Sequence, residues 1–222
     1  MDHAALIAEL LRAHGDVHTI ILYGSRARGD ATAESDIDVA CFADVPETYR
    51  DARVWNELFL DGFVYPTNVA TQDLTEDMAK LGGGSILKDD RSLAGPLLAR
   101  IAAFEASPAP ALPETERRMR RIWAKKMVAR IRRGDVEASY RYHWLLFQLL
   151  EDHYPMSGHR YPGPKRAFAD LAKRDPSTFA AFERALVPGA RFDAVEALVD
   201  HLDRLYFGSE STVTAPPSIA ST

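Results

Sequence analysis

Residues 22–39 read LYGSRARGDATAESDIDV, and the fold expected of the chain follows from this segment. The β-branched run that leads into this segment, Thr19–Tyr23, predicts a strand that ends at Gly24-Ser25. Asp36 and Asp38 alternate with two aliphatic residues further on. Because residues i and i+2 of a strand point to one face, both carboxylates would aim at one spot while the aliphatic side chains enter a core.

Two convergent carboxylates repel each other unless a cation lies between them. Oxygen ligands at this spacing suit Mg²⁺, which keeps several waters and recruits substrate phosphates. Gly24 lets the backbone approach a phosphate closely, and Ser25 offers it a hydroxyl and an N–H. The alternative interpretation is that Asp36 and Asp38 are two ordinary aspartates of a loop.

The composition is that of a globular protein, with 46% apolar and 27% charged residues in a chain of 222. No apolar run reaches the roughly 18 residues that a membrane-spanning helix needs, and the amphipathic N-terminus is not laid out as a signal peptide. Cys41 is the only cysteine, which excludes an intrachain disulfide and a cysteine-based metal site. These features predict a cytoplasmic protein without a membrane partner.

The charge is unevenly distributed, since residues 1–112 carry a net charge of −9 and residues 113–222 a net charge of +4. This asymmetry indicates two lobes with different roles. A segment with three prolines in seven residues separates them and predicts a linker. We therefore predict a catalytic domain over 1–106, a linker over 107–113, a helical bundle over 114–207 and a flexible tail over 208–222.

Hydrophobic periodicity and turn residues predict the elements of each lobe. In the first lobe we expect strands over 18–23, 37–42, 57–65 and 86–87, with helices over 4–13, 48–55, 74–81 and 93–106. In the second lobe we expect helices over 114–133, 136–153, 164–173, 177–186 and 192–206.

Asp61 is the candidate for a third carboxylate. It lies in the apolar stretch Leu58–Tyr65, where a charged residue is costly unless it is paired or binds a metal. Two-metal phosphoryl transfer generally uses a third acid to hold the second ion and to accept a proton. The alternative is that Asp61-Gly62 forms a hairpin turn.

The residues Gly24-Ser25, Gly29 and Ser35-Asp36-Ile37-Asp38 together resemble the signature of the polymerase-β-like nucleotidyltransferases. The closest sub-pattern is that of the bacterial antibiotic and minimal nucleotidyltransferases, in which a helical C-terminal domain is common. The resemblance implies an α+β fold, with a small mixed sheet flanked by helices and an all-helical domain after it.

The resemblance also implies Mg²⁺-dependent transfer of a nucleoside monophosphate, with ATP the expected donor. Asp36, Asp38 and Asp61 would be the catalytic, metal-binding acids. Gly24, Ser25 and Ser35 would lie at the triphosphate.

Three cations are candidate phosphate ligands. Arg26 and Arg28 carry guanidinium groups suited to bidentate contact, although at least one of them is expected to be a solvated surface residue. Lys165 lies in the first turn of a predicted helix, where backbone N–H groups favour anions, and it resembles a triphosphate-binding lysine of related enzymes. The alternative for Lys165 is a solvated lysine.

The helix predicted over 114–133 is densely basic. It is interpreted either as a solvated basic face or as an electrostatic surface for phosphates. RNA binding is the weaker hypothesis, because few exposed aromatic residues are expected among these charges. For Tyr140, Tyr142 and Trp144, core packing is favoured over a role in an acceptor pocket.

Three functions remain open. The favoured hypothesis is adenylylation of a hydroxyl on a small, antibiotic-like acceptor. A second is an antitoxin-type protein adenylyltransferase that modifies a partner protein. A third is a catalytically degenerate nucleotide-binding module.

Overall fold

A computed structural model provides the structure, and it describes residues 1–75 and 77–208. The chain divides into two compact units, Met1–Ser107 and Pro108–Thr222. The predicted flexible tail falls outside the described residues except for Gly208, which follows the last helix.

The first unit is built on a five-stranded mixed sheet with the order β3-β4-β2-β1-β5. The β2 and β4 strands pair in parallel, and every other neighbouring pair is antiparallel. With the helical second unit, this sheet confirms the predicted α+β class. The elements of the first unit are α1 (His3–His14), β1 (Thr19–Tyr23), α2 (Gly24–Arg28), β2 (Ile37–Ala43), β3 (Tyr49–Trp55), β4 (Leu58–Pro66), β5 (Ser85–Asp89) and α3 (Ala94–Ala106).

Both faces of the sheet are covered, so its central strands read as continuous apolar runs. On one face, Leu6 and Leu10 of α1 pack against side chains such as Ile20 and Val39. On the other face, α3 joins a cluster that includes Ile21 and Phe42. Asp38 and Asp61 belong to this second face by strand alternation, at the end of the sheet where the apolar cluster stops.

The helix predicted over 48–55 is wrong, because Tyr49–Trp55 forms the edge strand β3. It pairs with β4 through a two-residue turn at Asn56-Glu57, both of which have positive φ (48° and 66°). Positive φ at both central residues is the geometry of a type I′ hairpin. The true turn therefore precedes Leu58, and the hairpin alternative for Asp61-Gly62 is wrong.

The segment before β5 is less helical than its sequence predicts. Instead of a helix over 74–81, the structure has short 3₁₀ turns at Thr67–Thr71 and Met78–Leu81. The Thr75 hydroxyl accepts a hydrogen bond from the Met78 amide, so it starts the second turn as an N-cap would. This turn places Lys80 beside β4.

The second unit consists of helices around one apolar core, which includes Met127, Leu145, Phe182 and Leu198. Ion pairs join its helices, among them Arg120 Nη1 with Asp152 and Arg121 Nε with Asp203, at 2.5 Å each. In the described part of the chain, no helix combines the length and hydropathy needed to cross a membrane. The helices are α4 (Glu114–Ile131), α5 (Val136–Met156), α6 (Pro164–Arg174), α7 (Pro176–Leu186) and α8 (Phe192–Phe207).

Candidate active site

The candidate site is organised by a row of three residues across the sheet. Tyr23 of β1 pairs with Asp38 of β2, and Asp38 pairs with Asp61 of the parallel strand β4. Paired residues of neighbouring strands point to the same face, so both carboxylates rise beside each other. Asp36 lies just before β2 and is exposed, whereas Asp38 is half-buried.

The electrostatics of this row disfavour its own negative charge. Burial raises the pKa of Asp38, and the charges of Asp61 and Asp36 raise it further. Arg28 and Lys80 act in the opposite direction and lower the same pKa. The three acids therefore share one electrostatic environment in which a bound cation would relieve their repulsion.

Gly24 brings the backbone directly against Asp38. Its φ is +70°, and a Cβ built on it would lie 2.1 Å from Asp38 Oδ2. A side chain at this position would therefore occupy the space of the carboxylate. The positive φ also requires glycine, so two independent constraints select this residue.

The loop that carries Asp36 is held by residues predicted to contact phosphate. Arg26 Nε donates to the backbone carbonyls of Ser35 and Asp36, at 3.1 Å each. The Ser35 hydroxyl accepts a hydrogen bond from the Thr32 amide at 2.8 Å. In this arrangement, Arg26 and Ser35 position the first carboxylate by fixing the backbone around it.

The other predicted phosphate ligands lie on α2 and α6. Ser25 and Arg28 belong to α2, directly after Gly24, and Arg28 Nη2 lies 3.4 Å from Asp30. A Cβ at Gly83 would lie 3.9 Å from Arg28 Cγ, so a second glycine-rich loop runs beside this arginine. Lys165 lies in the second unit, at the first turn of α6 after Pro164.

Two cations at the row were not found by sequence reasoning. Lys80 Nζ lies 3.7 Å from the centroid of the Phe63 ring and 3.2 Å from Asp77 Oδ1. Arg50 of β3 donates from Nε and Nη2 to the two oxygens of Asp61, at 2.7 and 2.8 Å. No local motif marks either residue, and only the pairing of β3 with β4 brings Arg50 to Asp61.

The acids fit a divalent cation by their chemistry and by their place in the sheet. Within residues 1–75 and 77–208, however, no group of three His, Cys, Asp or Glu side chains is arranged to hold a metal ion. Arg50 engages both oxygens of Asp61, so a metal ion at the row would share this carboxylate with the guanidinium or displace it.

A sequence model of the family "Polymerase beta, Nucleotidyltransferase" matches residues 6–75, which include α1, the Gly-Ser turn and all three acids. One similar solved structure is a nucleotidyltransferase-like protein from Exiguobacterium sibiricum. It is 16% identical, with 94% of this chain and 76% of that chain covered and a TM-score of 0.43. No curated protein matches the chain. Residues 6–75 thus form a nucleotidyltransferase domain of the polymerase-β-like superfamily.

Proposed function

We propose that the chain transfers a nucleoside monophosphate, AMP from ATP, to a hydroxyl group of a small, antibiotic-like acceptor in a Mg²⁺-dependent reaction. The observation that carries this proposal is the pairing of Asp38 with Asp61 on parallel strands, with Asp36 just before β2. The single, buried cysteine is consistent with a cytoplasmic setting.

Each acid has a part in the proposed mechanism. Asp36, Asp38 and Asp61 would hold divalent cations, which when bound neutralise charge on the transferred phosphoryl group and on the leaving pyrophosphate. The acceptor oxygen forms a bond to the α-phosphorus while the bond to the bridging oxygen breaks. Pyrophosphate leaves with the electron pair of that bond, and Asp61 accepts the hydroxyl proton.

The remaining residues position the substrate. Gly24 and Ser25 present backbone and hydroxyl to the triphosphate, and Arg28 supplies a nearby positive charge. Lys165 is proposed as a further triphosphate ligand because of its place in the first turn of α6. Lys165→Met tests that assignment through the KM for the nucleotide, which should rise several-fold.

The test of the proposed function is transfer of label from [α-³²P]ATP, with release of pyrophosphate, over a panel of hydroxylated small molecules. Wild-type protein should transfer label only with a divalent cation, and Asp38→Asn should abolish transfer while the fold is retained. Glu34→Gln is the matched control, because it removes an exposed acid from the same loop. Parallel reactions with the other nucleoside triphosphates establish the base preference.

The competing functions give different results in the same assay. Label that appears on a protein from a matched extract, and on no small molecule, would identify an antitoxin-type adenylyltransferase. Nucleotide binding without transfer to any acceptor would identify a degenerate module. If the protein shows no measurable binding of ATP in the presence of Mg²⁺ and no thermal shift, the enzyme proposal is wrong.

A further inference from the structure

The second unit presents an apolar face on α4 and α5 that no other described helix of this unit covers. We call it the α4–α5 face, and its exposed members are Met119 and Ile122 of α4 with Tyr140, Trp144 and Phe147 of α5. Tyr140 is 69% exposed, Phe147 61% and Met119 58%. The core-packing interpretation of Tyr140 and Trp144 is therefore wrong, whereas Tyr142 is partly buried and donates to the Ala185 carbonyl.

Trp144 lies at the centre of the ring contacts on this face. The Trp144 ring packs edge-on against Trp123 of α4, with centroids 5.6 Å apart, and lies 6.4 Å from the Tyr140 ring. Trp144 thus connects the two helices. A contiguous exposed patch of this kind on a globular domain commonly marks an interaction site, whereas single exposed apolar residues need no explanation.

Cations line the same face without being neutralised. Arg118, Lys126 and Arg130 share a row along α4 with Ile122, because helix residues four apart are neighbours. Within the described residues, these three cations have no ion-pair partner. By contrast, Arg120 and Lys125 of the same helix are paired with Asp152 and Asp203.

This charge pattern discriminates among possible occupants. A second copy docking through the same face would bring two equally basic surfaces together, because a two-fold interface uses the same patch on both subunits. A single-stranded nucleic acid would match the charge. Its bases could stack on Tyr140, Trp144 and Phe147, but they would leave the aliphatic Met119 and Ile122, which lie among the cations, without an apolar partner.

We propose that the α4–α5 face docks an acidic amphipathic helix of a partner protein. The apolar side of such a helix would cover the aromatic and aliphatic residues, and its flanking carboxylates would pair with Arg118, Lys126 and Arg130. Helix-in-groove recognition uses anchors spaced at three, four and seven residues, which is also the spacing of Tyr140, Trp144 and Phe147 on the receiving side. This proposal stands on contacts within the second unit and does not depend on nucleotidyl transfer.

The experiment uses two synthetic helical peptides with the same leucine stripe, one flanked by Glu and the other by Lys. Fluorescence anisotropy with the full chain should show binding of the Glu-flanked peptide, weakened by added salt. The Lys-flanked peptide should bind at least about tenfold more weakly, because its charges repel the row of cations.

Variants then locate the binding. Phe147→Ser and Tyr140→Ser change exposed side chains, so circular dichroism should be unchanged while peptide affinity falls. The double variant Arg118→Glu/Lys126→Glu should reverse the preference between the two peptides. Lys173→Glu on α6 is the matched control, since it reverses an exposed charge elsewhere in the same unit.

Four results would overturn the proposal. Equal binding of both peptides, or binding of neither, would show that the charge pattern selects no acidic helix. Binding of an oligo(U) RNA that Phe147→Ser abolishes would assign the face to RNA. A wild-type dimer in light scattering that Phe147→Ser dissociates would assign it to a second copy.

Discussion

The guanidinium of Arg50 holds both carboxylate oxygens of Asp61, with Nε and Nη2 at 2.7 and 2.8 Å. Arg50 lies on the edge strand β3, half of its side chain is exposed, and its charge lies 5.5 Å from the Phe63 ring. Asp61 in turn pairs with Asp38 in the sheet. Arg50 thus engages the proposed third metal ligand, and we expect its guanidinium to compete with a metal ion for the Asp61 carboxylate.

Removing this competitor should strengthen metal binding. We predict that Arg50→Met raises the affinity for Mn²⁺ without nucleotide by about two- to fivefold, the modest effect expected of losing an exposed ion pair. Electron paramagnetic resonance of free Mn²⁺ measures this affinity directly.

The control is Arg53→Met, which removes the same charge from the same strand. Arg53 pairs with Glu9 and Asp51, so its loss should leave Mn²⁺ affinity nearly unchanged. Weaker Mn²⁺ binding by Arg50→Met would show that the ion pair orients Asp61 for the metal instead of competing with it.

The close approach of Gly24 to Asp38 predicts a difference between two neighbouring glycines. Gly24→Ala and Gly29→Ala both place alanine at positive φ, at a cost of about 1–2 kcal/mol each. Only at Gly24 would the new Cβ meet the Asp38 carboxylate, since nothing lies within 4 Å of a Cβ at Gly29.

Metal and nucleotide affinity should therefore be lost in Gly24→Ala and kept in Gly29→Ala, while chemical denaturation shows a comparable backbone cost in both. Equal affinities in titration calorimetry would mean that the backbone at Gly24 does not shape the site.

The Asp38 carboxylate should lower stability at neutral pH. Its pKa is raised by burial and by Asp61 and Asp36, so the folded state binds a proton more tightly than the unfolded state does. Stability is therefore lost as pH rises through the interval that begins at the ordinary aspartate pKa. Asp38→Asn removes this charge and should raise Tm at pH 7 by roughly 2–4 °C, for at most about 1 kcal/mol after solvent screening.

Differential scanning fluorimetry at pH 7 with and without Mg²⁺ checks the Asp38 prediction. Mg²⁺ should stabilise the wild type and have less effect on Asp38→Asn. A lower Tm for Asp38→Asn without metal would contradict the electrostatic account.

Acid should destabilise the second unit through His153. This buried imidazole has Nδ1 2.5 Å from the Tyr206 hydroxyl, and burial lowers its pKa to about 4. Between pH 6.5 and pH 4 the imidazole is protonated in the unfolded state and neutral in the folded state. The free energy of unfolding therefore decreases by up to about 3 kcal/mol as the pH is lowered through this interval.

Urea denaturation at pH 7 and pH 5 measures the effect, and His153→Gln should reduce it. Asp175 has a pKa lowered to about 2, so it changes stability only below the ordinary aspartate pKa and does not contribute to the difference between pH 7 and pH 5. His18 shifts in the same direction as His153 and remains in the variant. An unchanged difference between the two pH values in His153→Gln would show that other groups cause the loss.

Much of the first unit could be predicted because its signals are local. The run Thr19–Tyr23 and the alternation through Ile37–Val39 locate β1 and β2 within a residue of their observed bounds. The edge strand β3 was missed, since its exposed, charged side chains carry no apolar alternation. What stabilises β3 is non-local: pairing with β4, and contacts such as His14 with Asp51.

The basic helix α4 shows the same division between local signals, which the sequence reveals, and non-local contacts, which it does not. Its charges and apolar stripe are visible in the sequence, but the sequence does not reveal which cations are paired. Asp152 and Asp203 come from α5 and α8, and they neutralise Arg120, Arg121 and Lys125. The aromatic side chains beside the remaining cations belong to α5, so the expectation of few aromatics near the charges was wrong for a surface built from two helices.

The family resemblance, the α+β class and the candidate acids could be predicted from the sequence alone, because a Gly-Ser turn and a D-x-D at the start of a strand are short-range patterns. What surrounds these acids depends on tertiary structure. The parallel pairing of β2 with β4 sets Asp61 beside Asp38, and the pairing of β3 with β4 brings Arg50 to Asp61. These contacts join residues separated by 23 and 11 positions, a separation that no local pattern encodes and that only the packed sheet brings together.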